Sequence, residues 1–149
     1  MNRDDGLTLV ELLIVLAIVA ILGALAYPSY AGSVAKARRI EAQVALIEAL
    51  QQQEHHYRRH NTYLAFSAEA PGPDEWPIPW WSGQSAAASA YEIDAYACPG
   101  QDIGECVEMR ARPGTGKVDA SFSDPDCGTL TVNSAGEKGA SGDGARCWP

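Results

Sequence analysis

Twenty residues from Leu7 to Ala26 form an apolar run that only Thr8 and Glu11 interrupt. As a helix such a run is about 30 Å long, close to the thickness of a bilayer's hydrocarbon core. Leu, Ile, Val and Ala occupy every side of it, which predicts a helix surrounded by lipid or by other helices and not an amphipathic surface helix. A chain of 149 residues has too little protein to wrap that helix all round. Tyr27-Pro28 closes the run, an aromatic residue suited to interface depth followed by a helix-bending one. Beyond Pro28 the period changes. Val34, Ala37, Ile40, Val44, Ile47 and Leu50 recur at steps of three or four and predict one apolar helix face packed on a domain. Lys36, Arg38, Arg39, Gln43, Gln51 and Gln52 lie largely off that face and are placed in water. The helix is expected to end near His60-Asn61, since Asn favours helix ends. From Leu7 it would span roughly 54 residues, or about 80 Å.

The remainder reads differently. Pro71, Pro73, Pro77 and Pro79 are interleaved with Trp76, Trp80 and Trp81. Proline at that density forbids a long helix or a central strand. An ordered loop is predicted, its tryptophans packed onto the sheet and helix; the alternative is an exposed aromatic patch for a partner or a sugar. Three alternating segments follow, Tyr91–Tyr96, Cys106–Ala111 and Thr129–Val132. Strict alternation predicts half-buried antiparallel strands, with the stripe from Val34 to Tyr57 covering their apolar face. Gly114 to Asp126 fits a strand at Val118 and Phe122 or a loop, and the glycines between Asn133 and Gly144 predict a turn-rich excursion. The expected class is α+β: a long kinked N-terminal helix packed on a small antiparallel sheet, with a disulfide-closed C-terminal loop.

Charge separates the two parts. Residues 1–60 balance six basic against six acidic side chains; residues 61–149 hold five against thirteen and carry the whole −8. With a pI near 4.7 the chain lacks the cationic excess of a general nucleic-acid binder. Cys98, Cys106, Cys127 and Cys147 all follow the apolar segment, and no pair has zinc-knuckle spacing. Behind a membrane anchor the surroundings are oxidising, which predicts disulfides. Three pairings are possible, and we choose the sequence-local set, Cys98–Cys106 and Cys127–Cys147.

Glu11 decides what the apolar run is for. Ala24-Leu25-Ala26 would serve as the cleavage site of an ordinary secretory signal. A carboxylate in the run costs on the order of 2.5–3.5 kcal/mol when central and less near an end, and a disposable signal has no use for it. A helix that docks against copies of itself does, because the carboxylate can meet a neighbour's α-amino group. Gly6-Leu7-Thr8-Leu9-Val10-Glu11-Leu12-Leu13-Ile14-Val15, with Pro28 beyond it, resembles the type IV prepilin signature. That resemblance implies cleavage after Gly6, methylation of Leu7, Glu11 as the assembly residue and a helix kink at Pro28. Leu7 stands where the family usually has phenylalanine, and Asp4 and Asp5 make the leader nearly neutral where family leaders are basic. The stretch from Cys127 to Gly139, closing at Cys147-Trp148, resembles the tail of PilE-like minor pilins, in which the corresponding bridge encloses the C-terminal loop.

The resemblance implies four segments: a leader at 1–6, a transmembrane or filament-core helix at 7–28, an amphipathic helix at 29–61, and a periplasmic or extracellular domain at 62–149 with its Trp/Pro-rich loop at 71–82. It implies a minor pilin, held in the inner membrane by a single pass and then incorporated into a pilus at the cell surface for assembly, twitching motility or adhesion. Its partners would be other pilin subunits, the prepilin peptidase and the inner-membrane assembly machinery. No cofactor and no enzyme activity are expected, since no nucleophile stands beside a base and no paired carboxylates mark a pocket. His56 and His60 share a helix face, but Arg58 and Arg59 between them repel a cation, so no metal is expected there. Asp124, Asp126, Glu137 and Asp143 are read as solvated acidic residues and not as a calcium loop. Two functional alternatives are a DNA-uptake minor pilin receptor, with Arg110, Arg112 and Lys117 as a small basic stripe, and a type II secretion pseudopilin. Thirteen acidic residues make DNA the less favoured partner.

Overall fold

A 52-residue helix, α1, runs from Leu9 to His60. The computed structural model describes residues 8–74 and 77–149, without the side chains of Pro28 and Ser29. The leader, Gly6, Leu7 and Trp76 therefore lie outside the described residues, as does the Pro28 side chain at which a bend is expected. The chain divides into two compact units, Met1–Lys36 and Ala37–Pro149. Helix α1 stops where Asn61 adopts φ 54° and donates its N–H to the Tyr57 carbonyl at 2.8 Å. A left-handed residue after the last turn satisfies a carbonyl that the helix leaves unpaired, and Asn tolerates that conformation.

Four strands form one antiparallel sheet in chain order: β1 (Tyr91–Ala97), β2 (Val107–Pro113), β3 (Leu130–Asn133) and β4 (Lys138–Ala140). The first three follow the alternation of the sequence within a residue or two. The fourth was expected to be turn, because Gly136 and Gly139 hide its short run; it pairs Leu130 with Ala140 and Val132 with Lys138. The segment between β2 and β3 is loop. Tyr91, Ile93 and Ala95 on β1, Val107, Met109 and Ala111 on β2, and Leu130 and Val132 on β3 line one face and are buried.

The helix covers that face with a side that only partly matches the expected stripe: Ile47, Leu50 and Tyr57 pack partly buried against the core, but the centre of the contact lies elsewhere. Ala42, Leu46, Ala49 and Gln53 are the buried positions, whereas Ile40 and Val44 are about half exposed. On a 3.6-residue helix these two sets lie on opposite sides. Apolar residues occur all round this segment, so periodicity alone does not select a face. Gln53 is buried because its amide bonds both backbone groups of one loop residue: Nε2 donates to the Leu64 carbonyl at 2.7 Å, and Oε1 accepts from the Leu64 N–H at 2.8 Å.

Two side chains assigned to water are also tied inward. Arg39 donates to Asp124 through Nε at 2.7 Å and Nη2 at 2.5 Å, and Gln43 donates to the Cys147 carbonyl at 2.7 Å. The Asp124 side chain is wholly buried and also accepts from the Tyr91 hydroxyl at 2.6 Å and the Cys127 N–H at 3.2 Å. Two disulfides, Cys98–Cys106 and Cys127–Cys147, close the β1–β2 turn and the C-terminal tail. The segment between α1 and β1, which includes the proline-rich loop, takes the free edge of β1. Phe66 bridges Ala95 and Trp81 bridges Glu92, with the Ile93 N–H donating to the Trp80 carbonyl at 2.8 Å. Trp80 packs against the core, and Trp81 stands half-buried with its ring edge-on to Trp80 at 5.1 Å.

Burial pushes the Asp124 carboxyl up, but hydrogen bonds from Arg39, Tyr91 and Cys127 outweigh it and hold the group below the ordinary carboxylate value. A carboxyl depressed in the folded state contributes stability above its unfolded pKa of about 3.9, and that contribution is lost as pH falls through the folded value. Asp124→Asn should therefore cost on the order of 3 kcal/mol at neutral pH and lose less further stability than the wild type in acid. Thermal melts of both proteins from neutral pH downward check this; parallel curves would remove Asp124 from the acid limb.

Candidate assembly segment and ligand-facing surfaces

The first candidate surface is the apolar half of α1. Every Leu, Ile and Val from Leu9 to Leu25 is more than half exposed. The segment contains an 18-residue window of mean hydropathy 2.9, none of it buried, long and apolar enough to cross a membrane. Exposed apolar surface on this scale marks contact with lipid or protein. Its one charged residue is Glu11, which the structure shows in a local arrangement the sequence reading missed. Thr8 and Glu11 form a capping box: Thr8 Oγ1 accepts from the Glu11 N–H at 3.3 Å, and Glu11 Oε2 accepts from the Thr8 N–H at 3.1 Å. The Thr8 hydroxyl also donates to Glu11 Oε2, at 3.0 Å. The signal was legible as Thr8-x-x-Glu11, the pattern in which a hydroxyl and a carboxylate satisfy the unpaired N–H groups of a first turn. Gly6 and Leu7, the expected cleavage and methylation residues, precede this box outside the described residues.

The second surface is the outer face of the sheet. Glu92 and Asp94 on β1 are almost fully buried there, opposite Arg112 and Arg110 on β2 in the strand register. Arg112 Nη2 lies 2.8 Å from Glu92 Oε1, Arg112 Nε 2.8 Å from Asp94 Oδ2, and Arg110 Nε 3.1 Å from Asp94 Oδ1. The Arg112 Nε contact is an ion pair outside hydrogen-bond geometry. Arg110 also lies 4.0 Å from Glu108 and covers the Tyr96 ring at 4.3 Å. Burial pushes the Asp94 carboxyl up, against the pull of the two guanidinium groups. The third member of the expected basic stripe, Lys117, pairs with Glu69 at 3.1 Å. Each cation of the stripe thus has a carboxylate within 4 Å, so the long-range field there is not positive. The complementary pattern, Glu-Ile-Asp on β1 against Arg-Ala-Arg on β2, was readable once the strands were paired.

The C-terminal loop is the third surface. Lys138 lies 5.2 Å over the Trp148 ring, and the indole N–H donates to the Gly139 carbonyl at 2.7 Å. Arg146 is exposed, with no ion pair among the described residues. The acidic residues considered for calcium are dispersed. Asp124 and Asp126 turn to Arg39, while Glu137 bonds Asn133 at 2.6 Å. Among the described residues no group of three or more His, Cys, Asp or Glu is placed to hold a metal ion. His56 and His60 stack at 4.3 Å, and burial, helped by His60, lowers the His56 imidazole from its usual value.

A family profile described as "Type IV minor pilin ComP, DNA uptake sequence receptor" matches residues 28–131. A second, described as "Prokaryotic N-terminal methylation motif", matches residues 1–27. Among solved structures the chain is similar to the Neisseria meningitidis non-core minor pilin PilV, with 16% identity and a TM-score of 0.45 over 76% of this chain and 95% of that one. No curated protein matches the sequence.

The capping box has a measurable consequence. Thr8→Val keeps the side-chain volume and removes the hydroxyl, which costs about 1 kcal/mol locally, or about five-fold in an opening equilibrium. Hydrogen exchange of the Glu11 amide in detergent-solubilised full-length protein should accelerate by about that factor, while amides beyond the second turn keep wild-type rates. An unchanged Glu11 rate would show that the hydroxyl does not cap the helix.

Proposed function

The chain belongs to the type IV minor pilins of the ComP family, and from that premise we propose that it is processed, inserted and polymerised as a filament subunit. The observation that carries this reading is the exposed apolar half of α1 with one carboxylate in its first turn. Cleavage after Gly6 frees the α-amino group of Leu7, which the prepilin peptidase then methylates. The helix from Leu7 to Pro28 anchors the subunit in the inner membrane by a single pass, with the acidic domain on the periplasmic side. Extraction into the filament by the inner-membrane assembly machinery exchanges lipid for neighbouring helices, so apolar surface stays out of water throughout. Glu11 exchanges its Thr8 partner for the amino terminus of a neighbouring subunit and sets the axial register. Ile40 and Val44 extend the sticky surface, since they face away from the subunit's own sheet. The role is structural and not catalytic, and its outputs are pilus assembly, twitching motility or adhesion.

A second reading takes to this chain the DNA uptake named in the family description. The family match favours it and the charge distribution does not. Of the five cations after residue 60, Arg110, Arg112 and Lys117 are paired with carboxylates, which leaves Lys138, over the Trp148 ring, and the exposed Arg146 as those open to a phosphate backbone. Phosphate attraction scales with the number of uncompensated cations and falls with salt. A gel shift of DNA by the detergent-solubilised full-length chain, weakened by salt and abolished in the double variant Lys138→Ala and Arg146→Ala, would establish DNA binding. We expect no shift at low salt.

Two measurements test the filament reading. N-terminal mass spectrometry of the protein from its own membrane should find a chain beginning at methylated Leu7; a chain beginning at Tyr27 would mean an ordinary secreted protein. Glu11→Ala should remain membrane-inserted but enter pili at least about ten-fold less than the wild type, because losing one partner of a desolvated charge pair costs about 3 kcal/mol or more. Wild-type incorporation of that variant would refute the pairing role.

A further inference from the structure

A cleft of about 100 Å³ lies beside the buried face of α1, between the helix and the proline-rich loop. Its helix side consists of Ala45, Glu48, Ala49 and Gln52, and its loop side is built around Pro79 and Trp81. The helix residues recur at steps of three, one and three, so they form one patch on a helical surface. We propose that this cleft is a binding subsite for one neutral sugar ring of a glycan.

Each wall supplies a different part of sugar chemistry. Trp81 and Pro79 give an apolar wall against which the C–H face of a pyranose can lie. Ala45 and Ala49 have no side chain beyond Cβ, so the floor stays open. Glu48 and Gln52 stand on the floor's margin, and neither makes a hydrogen bond or ion pair among the described residues. A carboxylate accepts two hydroxyl protons, and an amide both donates and accepts, which matches adjacent hydroxyls on a ring.

The wall is built before any ligand arrives. Backbone bonds pin it to β1 on both sides of Trp81, from the Ile93 N–H to the Trp80 carbonyl at 2.8 Å and from the Ser82 N–H to the Tyr91 carbonyl at 3.1 Å. The Gly83 N–H then donates to Ser89 Oγ at 2.7 Å. A Cβ at Gly83 would sit 3.0 Å from Ser89 Oγ and 3.1 Å from Glu41 Oε1, so glycine lets the loop approach the helix this closely. A rigid aromatic wall avoids the ordering cost that a mobile loop pays on binding.

Charge selects against other occupants. Among the described residues no cation lines the cleft and Glu48 is its one charged lining residue, so phosphate and other anions are disfavoured. A cation would use Glu48 and Trp81 but not the Gln52 amide. A neutral polyol uses all of these groups.

The test is an NMR titration of full-length protein in a polyoxyethylene detergent, which carries no sugar headgroup. The probes are methyl β-D-glucopyranoside and N,N′-diacetylchitobiose, with tetramethylammonium chloride and sodium phosphate as comparators. A single shallow subsite should bind with a Kd on the order of 1–10 mM. Saturable shifts with either sugar, confined to residues 45–52 and 80–83, are the expected result. Trp81→Ala should raise Kd at least ten-fold, and Glu48→Ala and Gln52→Ala, on the helix surface, should each raise it several-fold without moving the melting temperature. If Trp81→Ala fails to fold, the two helix variants decide the matter. The proposal is overturned by the absence of saturable shifts with both sugars, by shifts elsewhere, by sugar affinities that none of the variants alters, or by saturation with tetramethylammonium alone.

Discussion

A guanidinium bonded in two places to a carboxylate with no solvent exposure is the interaction on which the domain's arrangement depends. Arg39 comes from the helix and Asp124 from the loop after β2, 85 residues later in the chain. Asp124 also holds the β1 Tyr91 hydroxyl and the N–H of Cys127. One side chain therefore gathers the helix, the first strand and the first cysteine of the C-terminal bridge. Breaking such a pair on one side leaves a buried charge without compensation, which is why its loss is felt as destabilisation. The Cys127–Cys147 bridge and the Gln43 bond to the Cys147 carbonyl continue the same attachment, so the glycine-rich tail is held at both ends.

The same economy governs charge elsewhere. The strongly acidic domain keeps most of its arginines for its own carboxylates. Glu92 and Asp94 on the outer face of the sheet would be costly if buried alone, and Arg110 and Arg112 lie across them in register. Cations used internally contribute little to the far field, which leaves the surface with its net negative character. This bears directly on partners: a polyanion finds few uncompensated cations on the acidic domain, Lys138 and Arg146 among them.

The helix divides its duties by solvent. Its first half exposes large aliphatic side chains and buries none of them, a state that only lipid or other protein can satisfy. Its second half turns small residues and Gln53 to the sheet and leaves Ile40 and Val44 outside.

The sequence by itself determined the long helix and its end at Asn61, the apolar first half with Glu11, the three alternating strands and the membership of the pilin family. Local periodicity, spacing and turn chemistry carry the helix and the strands, and the resemblance to the prepilin signature carries the family. The capping box at Thr8 and Glu11 was equally local and was readable, as was the charge complementarity of β1 and β2. The centre of the helix's buried side was not, because Ala42, Leu46 and Ala49 compete with Ile40 and Val44 for the same periodic signal, and hydrophobicity favours the larger side chains; Ile47 and Leu50 of the expected stripe do pack on the core. The inward turns of Arg39, Gln43 and Gln53 were not readable either. Their partners, Asp124, Cys147 and Leu64, come together only when the sheet, tail and loop are packed. A polar side chain goes inside when a partner waits there, and a partner distant in sequence is supplied by tertiary structure alone.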